Sequence, residues 1–404
     1  MNTVARRLAT VLFAAGLGCV PLVATPTAAS AAVPQRAVAA VHLPTATPAL
    51  GKTKAIKAGA NFSCALTTKG GVLCWGHNAF GQLGNGTTVN SDVPVKVTGL
   101  SKKVTAISLG DYHGCALTTK GAVKCWGEGT GGQLGNGTMV SSATPVQVSG
   151  LTRKVRSIAA GGSQSCAITG SRTERCWGEN TYGQLGNGTT TDSTVPVKVK
   201  LGSAKARTIT VGGGHACATT TKSKLRCWGN NGNGQLGTNS TTNSSVPVPV
   251  YGLSKAKSVT AGSSHTCAIT TGSRLRCWGD NGFGQLGNGT TTESHRPVAV
   301  SGLGKVKSVS PGQGHTCTLT SKSAVRCWGY NVFGQLGDNS TTNSLVPRPV
   351  YALAKAKALA AGEFHSCAVT TGSRARCWGY NGFGQLGNGS TTDSAIPVGV
   401  MGLS

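Results

Sequence analysis

Residues 265–287 read HTCAITTGSRLRCWGDNGFGQLG, and versions of this stretch occur seven times in the 404-residue chain. The seven tryptophans of these copies are 51, 51, 51, 50, 50 and 50 residues apart, and each lies in a Cys-Trp-Gly triplet. A Gly-Gln-Leu-Gly tetrapeptide follows every triplet. Repetition at a period of 50 or 51 residues indicates one supersecondary unit per copy.

Each unit contains four short runs that are typical of β-strands. In one unit they are Val248-Pro249-Val250, Ser258-Val259-Thr260, residues 265–270 and residues 275–278, with turns rich in Gly and Asn. Four short strands without a helical period are the pattern of a propeller blade. The sequence therefore predicts an all-β, seven-bladed propeller with four antiparallel strands per blade.

The ends of the chain suggest how the ring closes. The first unit begins at Lys54-Ala55-Ile56 without a Pro-Val strand, whereas residues 396–400, IPVGV, form an unmatched one at the end. We expect this C-terminal strand to complete the first blade and close the ring, which would leave no unpaired edge there. In this interpretation Gly-Gln-Leu-Gly lies between units.

Fourteen of the 15 cysteines fall into pairs of identical spacing. Each pair flanks a short turn, so its members are expected to face each other on adjacent antiparallel strands, within disulfide reach. A zinc site needs four ligands together, and each unit offers two cysteines and at most one nearby histidine. We predict one disulfide per blade and no metal. The predicted bridges join Cys64 to Cys74, Cys115 to Cys125, Cys166 to Cys176, Cys217 to Cys227, Cys267 to Cys277, Cys317 to Cys327 and Cys367 to Cys377.

The motifs resemble the regulator of chromosome condensation repeat. They are Gly-x-x-His-x-Cys-Ala-Ile/Leu-Thr, Cys-Trp-Gly-x-Asn and Phe/Tyr-Gly-Gln-Leu-Gly-Asn-Gly, and they cover residues 51–404. The resemblance implies a seven-bladed propeller in which the Trp-Gly and Gly-Gln-Leu-Gly elements are structural. The family's founder is a nuclear exchange factor for a small GTPase that acts through an insertion. The uniform spacing leaves no room for one, so we do not expect a nuclear GTPase partner.

The N-terminus has the pattern of an export signal. Arg6 and Arg7 precede an apolar run that ends in an A-x-A site at residues 29–31, which predicts a signal peptide over residues 1–31. A flexible Ala/Pro/Thr-rich spacer is predicted over 32–50, followed by the propeller over 51–404. We expect a secreted bacterial protein without an integral membrane span. Cys19 leaves lipid anchoring open as the alternative.

Charge is the feature that the repeat does not explain. The chain has 38 Lys+Arg against 11 Asp+Glu, a net charge of +27. One cation precedes the second cysteine in six units, and a second set leads into the strands before the first cysteine. The first set, the tentative polyanion-binding residues, is Lys124, Arg175, Arg226, Arg276, Arg326 and Arg376. The second is Lys54, Lys57, Lys103, Lys154, Arg156, Lys205, Arg207, Lys255, Lys257, Lys305, Lys307, Lys355 and Lys357.

Such rings would attract polyanions with salt-dependent affinity. The alternative is that the long side chains cover apolar strand surface and keep a Gly-rich protein soluble. These two interpretations stay open. We predict a monomeric binding scaffold for an anionic cell-wall or extracellular polymer. The alternative function is a protein-binding or enzyme-inhibiting propeller that acts through one loop face.

Two residue types recur at positions that could have a function. Histidine stands two residues before the first cysteine in five units, and an aromatic residue precedes Gly-Gln-Leu-Gly in five. Substitution by Phe62 and Gln164 within the histidine ring favours a structural hydrogen-bonding role over metal or proton chemistry. The family resemblance places the aromatic positions in blade packing, with ligand stacking as the alternative. Dispersed acids and the absence of a catalytic motif predict no enzymatic activity and no cofactor.

Overall fold

The order of strands in the sheets shows where each blade begins and ends. The protein's computed structural model describes residues 50–253 and 255–403. These residues form seven sheets, each of four antiparallel strands consecutive in sequence, and no helix. The seven-bladed propeller is confirmed. No helix able to span a membrane exists in this part of the chain, and the predicted signal peptide, Cys19 and the spacer up to residue 49 lie outside it.

We number the strands of a blade from the central channel outward. The first strands are Thr53–Ala58, Val104–Leu109, Val155–Gly161, Ala206–Val211, Ser258–Ala261, Val306–Pro311 and Ala356–Ala361. The second strands are Phe62–Thr67, His113–Thr118, Gln164–Thr169, His215–Thr220, His265–Ile269, His315–Thr320 and His365–Thr370. The third strands are Val72–Gly76, Val123–Gly127, Glu174–Gly178, Leu225–Gly229, Leu275–Gly279, Val325–Gly329 and Ala375–Gly379. The fourth strands are Ser91–Lys96, Ser142–Gln147, Ser193–Lys198, Ser244–Pro249, Ser294–Ala299, Ser344–Pro349 and Ser394–Gly399.

The expectation that the C-terminal strand completes the first blade was wrong. The strand Ser394–Gly399 pairs with Ala375–Gly379 in the seventh blade, and the first blade has its own fourth strand, Ser91–Lys96. The physical reason is the loop of residues 77–90, which contains Gly-Gln-Leu-Gly and connects the third and fourth strands of one blade. The Pro-Val strand therefore pairs with the third strand of the same blade, which precedes it in the chain.

The ring closes through the same interblade contacts as the other blades. Trp75 of the first blade donates its indole N–H to the Gln385 carbonyl of the seventh blade at 2.9 Å. All seven tryptophans are buried and make this bond to the preceding blade, at 2.9–3.0 Å. The first and last parts of the described propeller also meet, since the Leu50 N–H donates to the Gly402 carbonyl at 2.8 Å.

The Gly-Gln-Leu-Gly element has the conformation that this contact requires. Gly84 has a φ of +66°, in the left-handed region, and a Cβ there would lie 2.8 Å from the ring of Trp126 in the next blade. Only glycine lets the loop approach the tryptophan this closely. Each loop therefore holds the neighbouring blade.

Disulfides join the second and third strands of every blade, and the prediction of one bridge per blade is confirmed. In each pair the two cysteines lie directly opposite each other in the strand register. Their Cα atoms are 4.0–4.1 Å apart. The bridges are Cys64 with Cys74, Cys115 with Cys125, Cys166 with Cys176, Cys217 with Cys227, Cys267 with Cys277, Cys317 with Cys327, and Cys367 with Cys377.

Candidate functional site

Connections between strands emerge on two opposite faces of the ring. In the first blade, residues 59–61 and 77–90 lie together, because the His77 N–H donates to the Asn61 carbonyl at 2.9 Å. We call the face formed by these turns and loops in all seven blades the loop face. At the other end, the Val104 N–H of the second blade donates to Gly70 in the turn 68–71. The second-to-third-strand turns and the interblade connections form the basic face.

The two faces have opposite charge. The loop-face turns and loops contain no Lys or Arg and hold nine of the chain's 11 acidic residues. The described turns and connections of the basic face contain no Asp or Glu. The nine acids are Asp111, Glu128, Glu179, Asp192, Asp280, Glu293, Asp338, Glu363 and Asp393. The net charge of +27 is therefore unevenly distributed, with acidic residues concentrated on the loop face.

Six cations surround the basic-face end of the central channel. They occupy one repeat position, within one residue of the start of the first strand in six blades, and Thr105 stands there in the second blade. We call them the channel cations: Lys54, Arg156, Arg207, Lys257, Lys307 and Lys357. All six are exposed.

Four of the channel cations donate to neutral partners, and Arg156 Nε donates to the Gly170 carbonyl at 3.0 Å. Arg207 Nη2 donates to the Lys257 carbonyl at 2.9 Å, so the fourth and fifth blades touch at these positions. Lys307 Nζ donates to Ser323 Oγ at 2.9 Å, and Lys357 Nζ donates to Ser373 Oγ at 2.6 Å. The geometry thus concentrates positive charge around one opening.

The third-strand cations, which the sequence singled out, lie elsewhere. They are Lys124, Arg175, Arg226, Arg276, Arg326 and Arg376. All but Arg276 are half-buried. Three of them, Arg175, Arg226 and Arg326, reach a proline carbonyl of their own fourth strand at 3.3–3.4 Å. This placement suits coverage of strand surface. The polyanion role predicted for these six residues is untested, and the exposed channel cations are the stronger candidates.

The histidines two residues before the first cysteine of each pair form hydrogen bonds between blades. Five histidines are fully buried, and each Nε2 lies 2.7–2.9 Å from a Ser or Thr hydroxyl of the next blade. The structural interpretation of these residues therefore agrees with the geometry. The pairs are His113 with Ser165, His215 with Thr266, His265 with Thr316, His315 with Ser366, and His365 with Ser63.

The hydroxyl partners fix the tautomer of these rings. Ser63 Oγ donates its one proton to the Gln385 carbonyl at 3.1 Å, so His365 Nε2 must be the donor to Ser63. The opposite atom, His365 Nδ1, is buried and has no hydrogen-bond partner in the described chain. Burial lowers the pKa of His365 to about 3, so the imidazole is neutral. No group of three metal-ligating side chains occurs among the described residues.

The two interfaces that lack histidine also lack the hydroxyl. Phe62 stands in the first blade where Gly114 replaces the hydroxyl of the second. Gln164 stands in the third blade where Ala216 replaces that of the fourth. The residue at the histidine position thus varies together with its partner in the next blade. A comparison of neighbouring repeats could have revealed this pairing from the sequence.

Aromatic side chains form a continuous track on the loop face. Nine rings, from Phe283 in the fifth blade to Tyr112 in the second, contact one another in series with centroids 4.7–6.3 Å apart. We call this track the aromatic arc: Phe283, Tyr330, Phe333, Phe364, Tyr380, Phe383, His77, Phe80 and Tyr112. All nine are half-buried or exposed. The sequence identified only the positions before Gly-Gln-Leu-Gly, because contact between blades was not visible there.

The central channel widens into a cavity of about 260 Å³, lined by the loop-face halves of the first strands. Its walls are small residues and glycines, with Asp111, Gln313 and Glu363 in the turns at the mouth. Lys57 lines the lumen, where its side chain remains accessible to solvent, and partial desolvation by the channel wall lowers its pKa. Asp111, Gln313 and Glu363 belong to the second, sixth and seventh blades.

Comparison with known proteins gives a match over most of the chain. A family model described as the RCC1-like domain matches residues 17–272 and 141–403. The mitochondrial RCC1 domain-containing protein RUG3 of Arabidopsis thaliana is 33% identical over 210 residues, 50% of this chain and 47% of that protein. The ultraviolet-B receptor UVR8 of the same plant is 33% identical over 203 residues, 49% and 46% of the two chains. The matches thus span about half of each of these relatives.

Solved structures with the same architecture have low sequence identity. The structure of Prp20p from Saccharomyces cerevisiae has a TM-score of 0.73 at 22% identity over 87% of each chain. Human WBSCR16 has a TM-score of 0.74 at 22% identity, over 82% of this chain and 93% of that one. These similarities bear on the fold alone.

Proposed function

The chain belongs to the RCC1-like domain family, whose propellers are protein-binding scaffolds, and we propose that its basic face engages an anionic polymer without catalysing a reaction. The observation that carries this proposal is the ring of channel cations on a face without acidic residues in its described turns. The bound polymer is a cell-wall or other extracellular polyanion. The predicted signal peptide and the seven disulfides support export, since disulfides persist in oxidising compartments.

Electrostatics supports a polyanion over a small anion. Like charges on neighbouring blades repel each other when exposed, and a chain of negative groups relieves that repulsion at several blades at once. Arg207 and Lys257 touch, so successive charges of one polymer can bridge adjacent blades. The absence of carboxylates from the described basic-face turns leaves these cations available to the polymer.

The test compares two variants of equal charge in the same four blades. In the channel variant, Arg207, Lys257, Lys307 and Lys357 are changed to Gln. In the third-strand variant, Arg226, Arg276, Arg326 and Arg376 are changed to Gln. Binding of long-chain polyphosphate and poly-L-glutamate to the purified oxidised chain is measured for each.

We expect the channel variant to weaken binding by about tenfold or more and the third-strand variant by no more than about threefold. Equal weakening would mean that net charge alone attracts the polymer, which contradicts a site at the channel. Unchanged binding in both variants would contradict the proposal as well. Melting temperatures of the variants check that both retain the fold.

A further inference from the structure

Rings of the aromatic arc pack between blades, as the resemblance implied, but two interfaces lack the aromatic residue before Gly-Gln-Leu-Gly. Gly131 and Asn233 stand in the second and fourth blades where Phe80, Phe283 and Phe333 stand in others. The tryptophan-to-carbonyl bonds after these two positions keep their length of 2.9 Å. The tryptophan contact between blades therefore forms with or without this ring, and it does not by itself explain a continuous series of nine rings.

The arc presents apolar surface to solvent in one sector of the loop face. Phe80 is 37% exposed and Phe283 is 44% exposed, and the remaining rings are half-buried. At the residue that follows Cys-Trp-Gly, aromatic rings occupy the sixth, seventh and first blades, whereas Glu128, Glu179 and Asp280 occupy the second, third and fifth. The loops are uniform in length, but their side chains make the face asymmetric.

Carboxylates accompany the arc, and its turns and loops contain neither Lys nor Arg. Asp111 precedes Tyr112 and Glu363 precedes Phe364 in the chain. Asp393 accepts a hydrogen bond from the Asn381 N–H at 2.7 Å, beside Tyr380. Burial, together with the charge of Asp393, raises the pKa of the Tyr380 phenol. The fourteen turns and loops of this face contain no Lys or Arg, in a chain that has 38.

We propose that the aromatic arc docks an extended cationic segment of a partner protein, whose Lys or Arg side chains stack on the rings and pair with the neighbouring carboxylates. The faces of aromatic rings attract cations, and guanidinium groups stack on them most often. Negative potential over the arc adds to this attraction, whereas an anionic partner would be repelled. The site lies on the face opposite the channel cations, so it goes beyond the proposed function and does not depend on it.

The probe is a fluorescein-labelled nona-arginine peptide, with nona-citrulline as its neutral control of the same shape. Its binding to the purified oxidised chain is measured by fluorescence anisotropy. The test variant is Phe333→Leu with Phe383→Leu, which keeps apolar volume and removes two π faces. The matched control is Tyr182→Leu, which lies on the loop face at the same repeat position but outside the arc.

We expect nona-arginine to bind and nona-citrulline to bind at least about tenfold more weakly. The double variant should weaken nona-arginine binding by roughly tenfold, and Tyr182→Leu by less than about twofold. The channel variant should not weaken it, which separates this site from the basic face. An unchanged melting temperature of the double variant excludes a folding defect as the cause.

Three results would overturn the proposal. The first is that the peptide does not bind. The second is that Tyr182→Leu has the same effect as the double variant, since charge anywhere on the loop face would then suffice. The third is that sedimentation shows concentration-dependent self-association abolished by the double variant, since the basic face of a second copy would then be the occupant.

Discussion

His365 in the seventh blade and Ser63 in the first are hydrogen bonded, with 2.8 Å between Nε2 and Oγ, across the interface that closes the ring. The same hydroxyl donates to the Gln385 carbonyl, so one serine connects a side chain and a loop of the preceding blade. Both residues are fully buried. The closing interface is thus built like the interior ones rather than by exchange of a strand.

Ser63→Ala should lower the free energy of unfolding by about 1–3 kcal/mol, because it leaves the His365 Nε2–H buried without an acceptor. Urea unfolding measures this change. The double variant His365→Phe with Ser63→Gly recreates the Phe62–Gly114 pair of the next interface and should recover part of the loss. If the double variant loses more free energy of unfolding than His365→Phe and Ser63→Gly lose together, the pairing is contradicted.

Stability should depend on pH through the buried histidines. Burial lowers the pKa of His113, His215 and His315 to about 4, and that of His265 and His365 to about 3, from 6.5 in the unfolded chain. Below pH 6.5 the unfolded state binds protons that the folded state does not. The contribution of the neutral histidines to stability is complete above pH 6.5. It is lost as the pH falls to about 4 for three of them and to about 3 for the other two.

We therefore expect the urea concentration at the unfolding midpoint to decrease as the pH is lowered from 7 to 5. The variant His365→Phe with Ser63→Gly has one fewer buried histidine, so its midpoint should fall less over this range. The same slope in both proteins would show that these histidines do not cause the dependence.

Glu174 should have the opposite dependence. It is 3% exposed at the first position of a third strand, where Leu225 and Leu275 stand in other blades, and burial raises its pKa from 4.5 to about 8. Above pH 4.5 the unfolded chain releases this proton before the folded chain does. The stability present below pH 4.5 is consequently lost as the pH rises to about 8.

Glu174→Leu should therefore stabilise the protein by about 1–3 kcal/mol at pH 8 and by less at pH 5. Urea unfolding of both proteins at the two pH values measures the difference. An equal gain at both, or a loss at pH 8, would contradict a buried, protonated carboxyl group.

A circular permutant tests the blade boundaries. Because Leu50 N and Gly402 O are 2.8 Å apart, residue 403 can be joined to residue 50 and the chain opened between residues 303 and 304, in a connection between blades. The permutant should melt within a few degrees of the parent, since every sheet stays continuous. A permutant opened inside the loop 77–90 splits the first sheet and should melt lower. The reverse order would support closure by an exchanged strand.

The sequence was sufficient for the strands and disulfides but not for the limits of a blade. Cys64 and Cys74 have a short turn between them, so their pairing is local. A ring of repeats has no marked beginning, and the Pro-Val strand can be assigned to the unit before or after it. Only the pairing of Cys74 with Val95 decides this.

The two candidate surfaces were visible in part. Segregation of charge could have been inferred from the sequence. In every repeat, the loop from Cys-Trp-Gly to the start of the Pro-Val strand contains no Lys or Arg. The aromatic arc could not, since it joins residues such as Phe364 and Phe333 from different blades, whose rings lie 5.4 Å apart. Contacts of this kind depend on how neighbouring blades pack, which a pattern within one repeat does not reveal.

The salt dependence of polyphosphate binding tests the central claim most directly. The observed association constant of the oxidised chain is measured across a salt series for the parent, the channel variant and the third-strand variant. We predict a steep decrease with salt for the parent, with a slope that several neutralised charges produce, and a slope smaller by about 3 in the channel variant alone. A parent slope near zero, or one that the channel variant leaves unchanged, would contradict binding of the polymer at the channel cations.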